Sequence, residues 1–483
     1  MNQGIRRLFV LILGLFVLLL AGTVRWTVIE ADELNANSRN ARPLLQTARV
    51  PRGTIRAADG TLLARSVKQS DGTYVRRYTQ EAQQASQLIG WAYTNSGVSG
   101  MEKEHQDDLT GKVRSAATLL SALRGNTERG NDVVATLEPK VQQAGLNGLN
   151  GRRGAAVAID VKSGGVLAMV STPNFDPNQM RNNDSASRIQ NDSAGGSPAF
   201  NRATQAGYPP GSTFKVVTTA AALESGDYTP TTLVDGSSPL KVETVDLNNF
   251  GRKSYGKITL TQALTNSVNT AFARVAEDLG AAPMADAMDA FGFGKIPLID
   301  YPDQQLYASG VYDRDDASQL LEVNDDLDIA RVAIGQERLR VTPLQMGLVA
   351  AAVARDGQLP RLSTVQRVVD PDGRTLSELD ADGDDAGRVM SERDAADLTA
   401  MMEKVVEEGS GTAAALSGLR VAGKTGTAER NIRENVTQPW FIGFAPADDP
   451  QVAVAVTIER TIGGTGGVDA APIARAMMEE ALR

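Results

Sequence analysis

A serine and a lysine three residues apart are the first pair in this sequence that could do chemistry. Ser212 and Lys215 follow a Pro-Pro-Gly turn at 209–211 and lead into an apolar stretch rich in Ala, Val and Thr. If a helix begins at Ser212, the two side chains lie one turn apart on the same face, and the amine reaches the hydroxyl. Burial disfavours a charged lysine, and a neutral amine is a base. The spacing therefore predicts a nucleophile, Ser212, and a base, Lys215.

The composition limits the other nucleophiles and bases. The chain of 483 residues has no cysteine and one histidine, His105. A cysteine nucleophile is therefore excluded, and a zinc site of cysteine and histidine nearly so. His105 lies in a charged run at 102–108 that is typical of a solvated helix face, which disfavours a Ser-His-Asp triad. The net charge of −9 argues against a nucleic-acid-binding surface.

Two further motifs follow in sequence order. Ser267 and Asn269 form an S-x-N pair between two helical pieces, and the K-T-G-T run at 424–427 lies in a predicted strand. Each spacing alone is a weak signal, because the chain holds second copies of all three. These copies are Ser254–Lys257, Ser38–Asn40 and Lys162–Gly164. They lie in a glycine-broken segment, in the N-terminal neck and in a hairpin turn, so order and context favour the first set.

The N-terminus predicts a membrane anchor. Residues 8–24 are uncharged and apolar, basic residues precede them and acidic residues follow. Seventeen residues make about 26 Å of helix, the short end of a membrane span. We expect a cytoplasmic tail at 1–7, a single span at 8–25 and an extracytoplasmic body, which places the protein in the cytoplasmic membrane. A cleaved signal peptide is the alternative.

The body divides into two predicted parts. Residues 26–150 indicate an extended neck and a small α+β pedestal, with a short helical stretch at 116–123 among others. Residues 151–483 begin with a strand hairpin and end with three strand-like segments, which predicts one antiparallel sheet with helices inserted between. The Asn- and Ser-rich residues 178–198 are predicted to form a loop.

The ordered motifs resemble those of the penicillin-binding proteins and serine β-lactamases. The resemblance is closest to a class B penicillin-binding protein, a peptidoglycan D,D-transpeptidase, and covers most of the chain. Residues 52–55 and 97–102 resemble the membrane-proximal and pedestal motifs of that class, and 335–336 with 342–345 match a segment of its catalytic domain. The small pedestal indicates a short member. The implied fold is α+β: a central antiparallel sheet flanked by helices, with an all-helical subdomain.

The resemblance implies roles for the serine-bearing motifs. Ser212 attacks the carbonyl of a D-Ala-D-Ala stem peptide and forms an acyl-enzyme, while Lys215 takes its proton. Ser267 relays a proton to the leaving amine, and Asn269 holds Lys215 and the substrate amide.

The K-T-G-T strand has implied roles as well. Lys424 supplies positive charge that keeps the base neutral and favours the substrate carboxylate, which the Thr425 and Thr427 hydroxyls bind. Gly426 lets the strand pass close to the ligand. The backbone N–H groups of Ser212 and Thr427 form an oxyanion hole. No metal or cofactor is required.

Other readings remain open at this point. Ser212 alone fits a simple helix N-cap, and Lys424 alone fits a surface-reaching strand lysine. A β-lactamase or D,D-carboxypeptidase uses the same acyl-serine but transfers it to water, and a non-catalytic scaffold of the wall-synthesis complex needs no acyl-serine. The expected partners are peptidoglycan stem peptides, β-lactams and a membrane glycosyltransferase of the RodA/FtsW kind, contacted through residues 8–65.

Overall fold

The structure is a computed structural model that describes residues 3–26, 30, 49–111, 129–242, 245–324, 326–431 and 434–483. Most of the predicted neck and the helical stretch predicted at 116–123 lie outside these ranges. The α-helices of the described residues are α1 (Gln3–Val24), α2 (Gln80–Gln84), α3 (Ser86–Ile89), α4 (Gly100–Glu104), α5 (Gln106–Thr110), α6 (Pro139–Leu149), α7 (Asn183–Asn191), α8 (Lys215–Glu224), α9 (Leu260–Thr265), α10 (Asn269–Leu279), α11 (Ala281–Ala290), α12 (Ile329–Val332), α13 (Pro343–Ala354), α14 (Glu392–Glu407) and α15 (Ala471–Ala481).

The strands of the same ranges are β1 (Ile55–Arg56), β2 (Leu62–Lys68), β3 (Tyr74–Tyr78), β4 (Ala92–Tyr93), β5 (Gly97–Val98), β6 (Asp132–Ala135), β7 (Gly154–Asp160), β8 (Val166–Thr172), β9 (Leu233–Asp235), β10 (Leu240–Val242), β11 (Val245–Leu247), β12 (Lys257–Thr259), β13 (Gly310–Tyr312), β14 (Leu320–Leu321), β15 (Leu339–Arg340), β16 (Gln358–Pro360), β17 (Val365–Val369), β18 (Thr375–Glu378), β19 (Asp385–Arg388), β20 (Ala422–Asn431), β21 (Val436–Ala445), β22 (Val452–Ile458) and β23 (Thr461–Ile462).

Helix α1 contains the apolar run predicted as a membrane span. It has 22 residues, none of them buried against the rest of the chain, and it is long and apolar enough to cross a membrane. In the described ranges it is the one helix that meets both conditions. An N-terminal signal sequence has the same properties, so length and composition alone leave both readings in place.

The central sheet joins the two ends of the region 151–483. Its strand order is β20-β21-β22-β7-β8, every neighbouring pair is antiparallel, and β23 adds to β21. The hairpin near residue 154 therefore pairs with the C-terminal strands, which confirms the predicted sheet. All ten residues of β21 are buried, because helices cover both faces of the sheet.

Each face of the sheet packs its own helices. Helices α6 and α15 cover one face, where Val141, Ile473 and Met477 pack against the apolar side chains of β7 and β22. Helix α13 covers the other face and is buried along its whole length. Gly347 allows this close packing, because a Cβ there would lie 3.2 Å from the Cδ1 atom of Ile159. The sheet is thus a rigid support for whatever its outermost strand β20 carries.

The pedestal has a second sheet, which is mixed and has the order β18-β17-β6-β1-β2-β3. Strand β1 pairs with β6 in parallel, and the other pairs are antiparallel. Strands β17 and β18 come from residues 365–378, far along the chain from the others. The pedestal sheet is therefore completed by the C-terminal half of the protein.

The loop predicted at 178–198 is wrong in part. Residues 177–181 form a 3-10 turn, and α7 follows at 183–191. The side chain of Asn182 accepts a hydrogen bond from the backbone N–H of Ser185, and Ala186 and Ile189 are buried. Asn and Ser favour helix N-caps as well as loops, so composition alone did not separate the two.

Candidate active site

The nucleophile turn is the short segment that carries Ser212. Residues Gly211–Phe214 form a 3-10 turn, and the α-helix begins only at Lys215. The prediction of an α-helix beginning at Ser212 is therefore wrong by one turn. The Thr213 hydroxyl donates to the carbonyl of Pro210 at 2.9 Å, which helps to hold the tighter turn. Ser212 is half-buried at the edge of a cleft.

This cleft of about 970 Å³ brings the three predicted motifs together. Predicted site residues share its lining: Ser212, Ser267, Asn269, Thr425, Gly426 and Thr427. The side chains of Lys215 and Lys424 lie fully buried behind this lining. Motifs separated by more than two hundred residues therefore meet at one place, as the sequence order predicted.

The Lys215 side chain is fully buried. Its Nζ atom donates to the backbone oxygen of Ser267 at 2.8 Å, to the Ser267 hydroxyl at 3.3 Å and to the Asn269 side-chain oxygen at 2.8 Å. Among the hydrogen bonds of the described residues, none joins the Lys215 amine to the Ser212 hydroxyl. Burial, with a further contribution from the charge of Lys424, lowers the pKa of Lys215 well below its ordinary value. The amine is therefore predisposed to be neutral, the state that a general base requires.

Ser267 connects the two lysines. It lies between α9 and α10 with φ +56°, a left-handed conformation that is uncommon for a residue other than glycine. Its hydroxyl oxygen accepts hydrogen bonds from Lys215 at 3.3 Å and from Lys424 at 2.9 Å. Two buried amines thus share one hydroxyl, which gives a short path for proton transfer between them.

Asn269 is fixed at both ends of its side-chain amide. Its oxygen accepts from Lys215, and its nitrogen donates to the backbone carbonyl of Asn248 at 3.0 Å. The second of these bonds orients the amide so that the oxygen faces the amine. One N–H of the amide remains for a substrate.

Lys424 lies on β20 as predicted. Its amine donates to the Ser267 hydroxyl at 2.9 Å and to the carbonyl of Thr425 at 3.0 Å. Burial lowers the pKa of Lys424 to about 7. Its charge therefore depends on pH in the neutral range.

The remaining residues of the K-T-G-T strand face the turn and the cleft. The Thr425 hydroxyl is hydrogen-bonded to that of Ser410, and the Thr427 hydroxyl accepts from the N–H of Gly466 at 3.2 Å. A Cβ at Gly426 would lie 2.8 Å from the carbonyl oxygen of Pro210. The close approach that this glycine permits is therefore an approach of β20 to the nucleophile turn, where we had expected an approach to a ligand.

Sequence reasoning missed two residues of the site. Ser410 bonds to Thr425, and Asn248 orients Asn269 through its carbonyl. No spacing marks either residue, because each acts from a loop that only tertiary packing brings to the cleft. The Asn248–Asn249 pair, a common turn signal, was the one available hint.

His105 lies apart from the cleft. Its ring nitrogens are 3.8 Å from an oxygen of Asp108 and 3.9 Å from an oxygen of Asp300, beside the pedestal. A triad of His105 with Ser212 is therefore absent from the described structure.

Comparison with known proteins finds similarity to penicillin-binding proteins along most of the chain. A family model for the penicillin-binding protein transpeptidase domain matches residues 154–479, and one for the penicillin-binding protein A dimerisation domain matches residues 52–133. The peptidoglycan D,D-transpeptidase PbpA of Mycolicibacterium smegmatis is 36% identical, over 100% of this chain and 99% of the relative.

Two solved structures extend this similarity to acylated proteins. Penicillin-binding protein A from M. tuberculosis, as its ceftriaxone acyl-enzyme complex, has a TM-score of 0.81 and 31% identity and covers 91% of this chain and 100% of its own. The penicillin G acyl-enzyme complex of the same protein has a TM-score of 0.78 and 32% identity, with 90% of this chain and 100% of its own covered.

Proposed function

This chain belongs to the class B penicillin-binding proteins, and we propose that it cross-links peptidoglycan stem peptides as a serine D,D-transpeptidase. The observation that carries the proposal is a pair of buried amines, Lys215 and Lys424, that share the hydroxyl of Ser267, a residue that lines the same cleft as Ser212. Such an arrangement supplies a neutral base next to a serine without any histidine.

Acylation follows from the positions of these groups. The Ser212 oxygen attacks the carbonyl carbon of the penultimate D-Ala, and its proton passes to Lys215. The negative charge that forms on the carbonyl oxygen is met by the backbone N–H groups of Ser212 and Thr427. When the C–N bond breaks, the proton returns through Ser267 to the leaving amine. An ester on Ser212 and a free D-Ala result.

Substrate recognition is proposed to use the K-T-G-T strand. The terminal carboxylate binds to the Thr425 and Thr427 hydroxyls, and the charge of Lys424 favours it. Asn269 binds the substrate amide with its remaining N–H. An acceptor amine from a second stem peptide then attacks the ester and regenerates Ser212. In a β-lactam the leaving amine stays tethered to the acyl group, so the ester persists and the enzyme is inhibited.

Intact-mass analysis after exposure to benzylpenicillin tests this function. We expect one adduct of the full antibiotic mass, and peptide mapping should place it on Ser212. Ser212→Ala should form no adduct. Ser254→Ala, which alters the second S-x-x-K copy, is the matched control and should be acylated like the wild type. An absent adduct, or one on another residue, would refute the assignment.

A transfer assay separates the transpeptidase from a hydrolase. With a D-Ala-D-Ala pentapeptide as donor and a stem peptide with a free amine as acceptor, the cross-linked dimer should be the main product. Release of the hydrolysed tetrapeptide alone would instead assign a D,D-carboxypeptidase.

We also propose the domain division and location that the sequence suggested: a cytoplasmic tail at 1–7, a membrane anchor at 8–25, a neck and pedestal at 26–150 and a catalytic domain at 151–483, from which strands β17 and β18 complete the pedestal sheet. The exposed apolar surface of α1 supports an anchor, because it is free to contact lipid or another membrane helix. The proposed partner is a membrane glycosyltransferase of the RodA/FtsW kind. Deletion of residues 1–25 should release the protein from membranes and lose the partner in co-purification. Retention of both would count against an anchor there.

A further inference from the structure

The two residues just before the nucleophile turn have no hydrogen-bond donor. Pro209 and Pro210 carry no N–H, so the residues just before Ser212 must be held mainly through their carbonyl groups. The N–H of Gly211 donates to the carbonyl of Gly335 at 2.9 Å. The carbonyl of Pro210 accepts from the Thr213 hydroxyl, a bond within the turn itself. The carbonyl of Pro209 is a further point at which this segment can be held to the central sheet.

The group that binds Pro209 is the indole of Trp440. The ring N–H donates to the Pro209 carbonyl at 3.0 Å. Trp440 is fully buried on β21, and its ring contacts the ring of Tyr208 edge-on, with centroids 6.3 Å apart. This hydrogen bond is donated to the segment before Ser212 from the central sheet.

Trp440 also lies beside the proposed oxyanion hole. It is the register partner of Gly426, the residue before Thr427 on β20. Gly426 in turn approaches the turn so closely that a Cβ would come within 2.8 Å of the Pro210 carbonyl. The indole bond thus acts at the point where the turn and β20 meet, and the turn and the strand each supply one N–H to the hole.

We propose that Trp440 is a positioning residue for acylation. Its indole N–H holds the nucleophile turn at the distance from β20 at which the N–H groups of Ser212 and Thr427 converge on one oxygen. This inference rests on the proposed function of the site. A tryptophan in a sheet core also contributes packing, and packing alone predicts a loss of stability without a change in the acylation rate constant.

The chain offers a closely matched control. Trp91 in the pedestal is also buried, donates its indole N–H to a backbone carbonyl, that of Ser96, at 3.1 Å, and contacts Phe175 edge-on with centroids 5.7 Å apart. Trp91→Phe removes the same kind of hydrogen bond and a similar volume as Trp440→Phe, at a place remote from the cleft.

The experiment compares the two variants in full-length protein by stopped-flow acylation with benzylpenicillin. For Trp440→Phe we expect the acylation rate constant at saturating antibiotic to fall about 10- to 100-fold, with less change in the dissociation constant of the initial complex. For Trp91→Phe the rate constant should stay within about twofold of wild type. Partial unfolding lowers the amplitude of acylation, whereas misplacement of the turn lowers the rate constant.

A wild-type rate constant in Trp440→Phe, or an equal loss in both variants, would overturn the proposal. A second variant separates the donor from the shape of the ring: 3-benzothienylalanine at position 440 keeps the bicyclic shape and places sulfur where the N–H was. It should be slow to acylate, and full activity would overturn the proposal even if Trp440→Phe failed to fold. If wild-type protein is not acylated at all, the proposed function itself fails.

Discussion

Two regions of the molecule bury ionisable side chains, and they differ in whether those side chains have ionic partners. In the pedestal, the Glu102 carboxylate lies between Arg52 at 2.9 Å and Arg76 at 2.5 Å, and the Tyr78 hydroxyl donates to it at 3.1 Å. In the cleft, Lys215 and Lys424 are surrounded by hydroxyl, amide and carbonyl oxygens. Among the described residues, no carboxylate lies within ion-pairing distance of either amine.

The difference shows how one fold uses burial for two purposes. Burial favours the neutral form of Glu102, but the charges of Arg76 and Arg52 outweigh it and hold the pKa of the carboxyl below its ordinary value. The charged form persists and links the pedestal elements. In the cleft nothing offsets burial, and the pKa of each lysine falls. A buried carboxylate with ionic partners stays charged, whereas a buried amine without one is predisposed to be neutral.

The largest expected effect is that of Lys215→Met. Loss of the base should slow acylation by benzylpenicillin about 10³-fold or more, as a fluorescent-penicillin time course can measure. The free energy of unfolding should not fall, because the variant no longer buries an amine without an ionic partner. A variant that is both slow and strongly destabilised would show that Lys215 has a structural role instead.

Glu102→Gln should lower the stability and leave the acylation rate unchanged, which is the reverse of the effect expected for Lys215→Met. It leaves Arg52 and Arg76 buried without a counter-charge, and we expect the free energy of unfolding to fall by about 3–5 kcal/mol. The acylation rate constant of the folded protein should be unchanged. Urea titration and acylation kinetics measure the two quantities. Glu104→Gln, an exposed carboxylate on the same helix, is the control and should change neither.

The pH dependence of acylation should report the ionisation of the two amines, Lys215 and Lys424. The fraction of neutral Lys215 increases with pH through its lowered pKa, and the charge of Lys424 is lost as pH rises through about 7. The second-order rate constant with benzylpenicillin should therefore rise and then fall above about pH 7. Penicillin methyl ester, which lacks the carboxylate, should lose the falling limb. A falling limb of equal size with the ester would remove Lys424 from carboxylate recognition.

The smallest expected effect is that of Ser410, whose hydroxyl is hydrogen-bonded to the hydroxyl of Thr425. Ser410→Ala removes the hydrogen bond to Thr425, and the apparent affinity for a D-Ala-D-Ala peptide should fall about 3- to 10-fold with little change in turnover. Ser410→Thr keeps the hydroxyl and should restore most of the affinity. Equal effects of both variants would place the cause in packing of the loop.

The sequence predicted which residues lie together at the site better than it predicted the contacts among them. The order and context of three motifs predicted that Ser212, Ser267 and Lys424 lie together, and the structure has the two serines in the lining of one cleft with the Lys424 side chain buried behind it. The start of α8 at Lys215 and the orientation of Asn269 by Asn248 were not predicted, because both depend on contacts with distant loops. Local spacing determines which residues share a helix face, but it contains no information about what packs on that face.

For the fold as well, local patterns were predicted and long-range contacts were not. The short apolar segments and the turn near 154–172, with the strand-like segments near 422–458, predicted one antiparallel sheet, since hairpins and strands are local patterns. Helix α7 was missed because Asn and Ser mark caps and loops alike. The pairing of β17 with β6 was missed because strand partners far apart in sequence leave no local signal.

Strand β17 lies between β18 and β6, and it hydrogen-bonds to both. A fragment that starts at residue 151 would lack β6, so one edge of β17 would expose unpaired backbone groups, a feature that promotes aggregation. In the whole chain, tension applied to β1 would pass to β6 and then to residues 365–369 through the backbone hydrogen bonds of one continuous sheet.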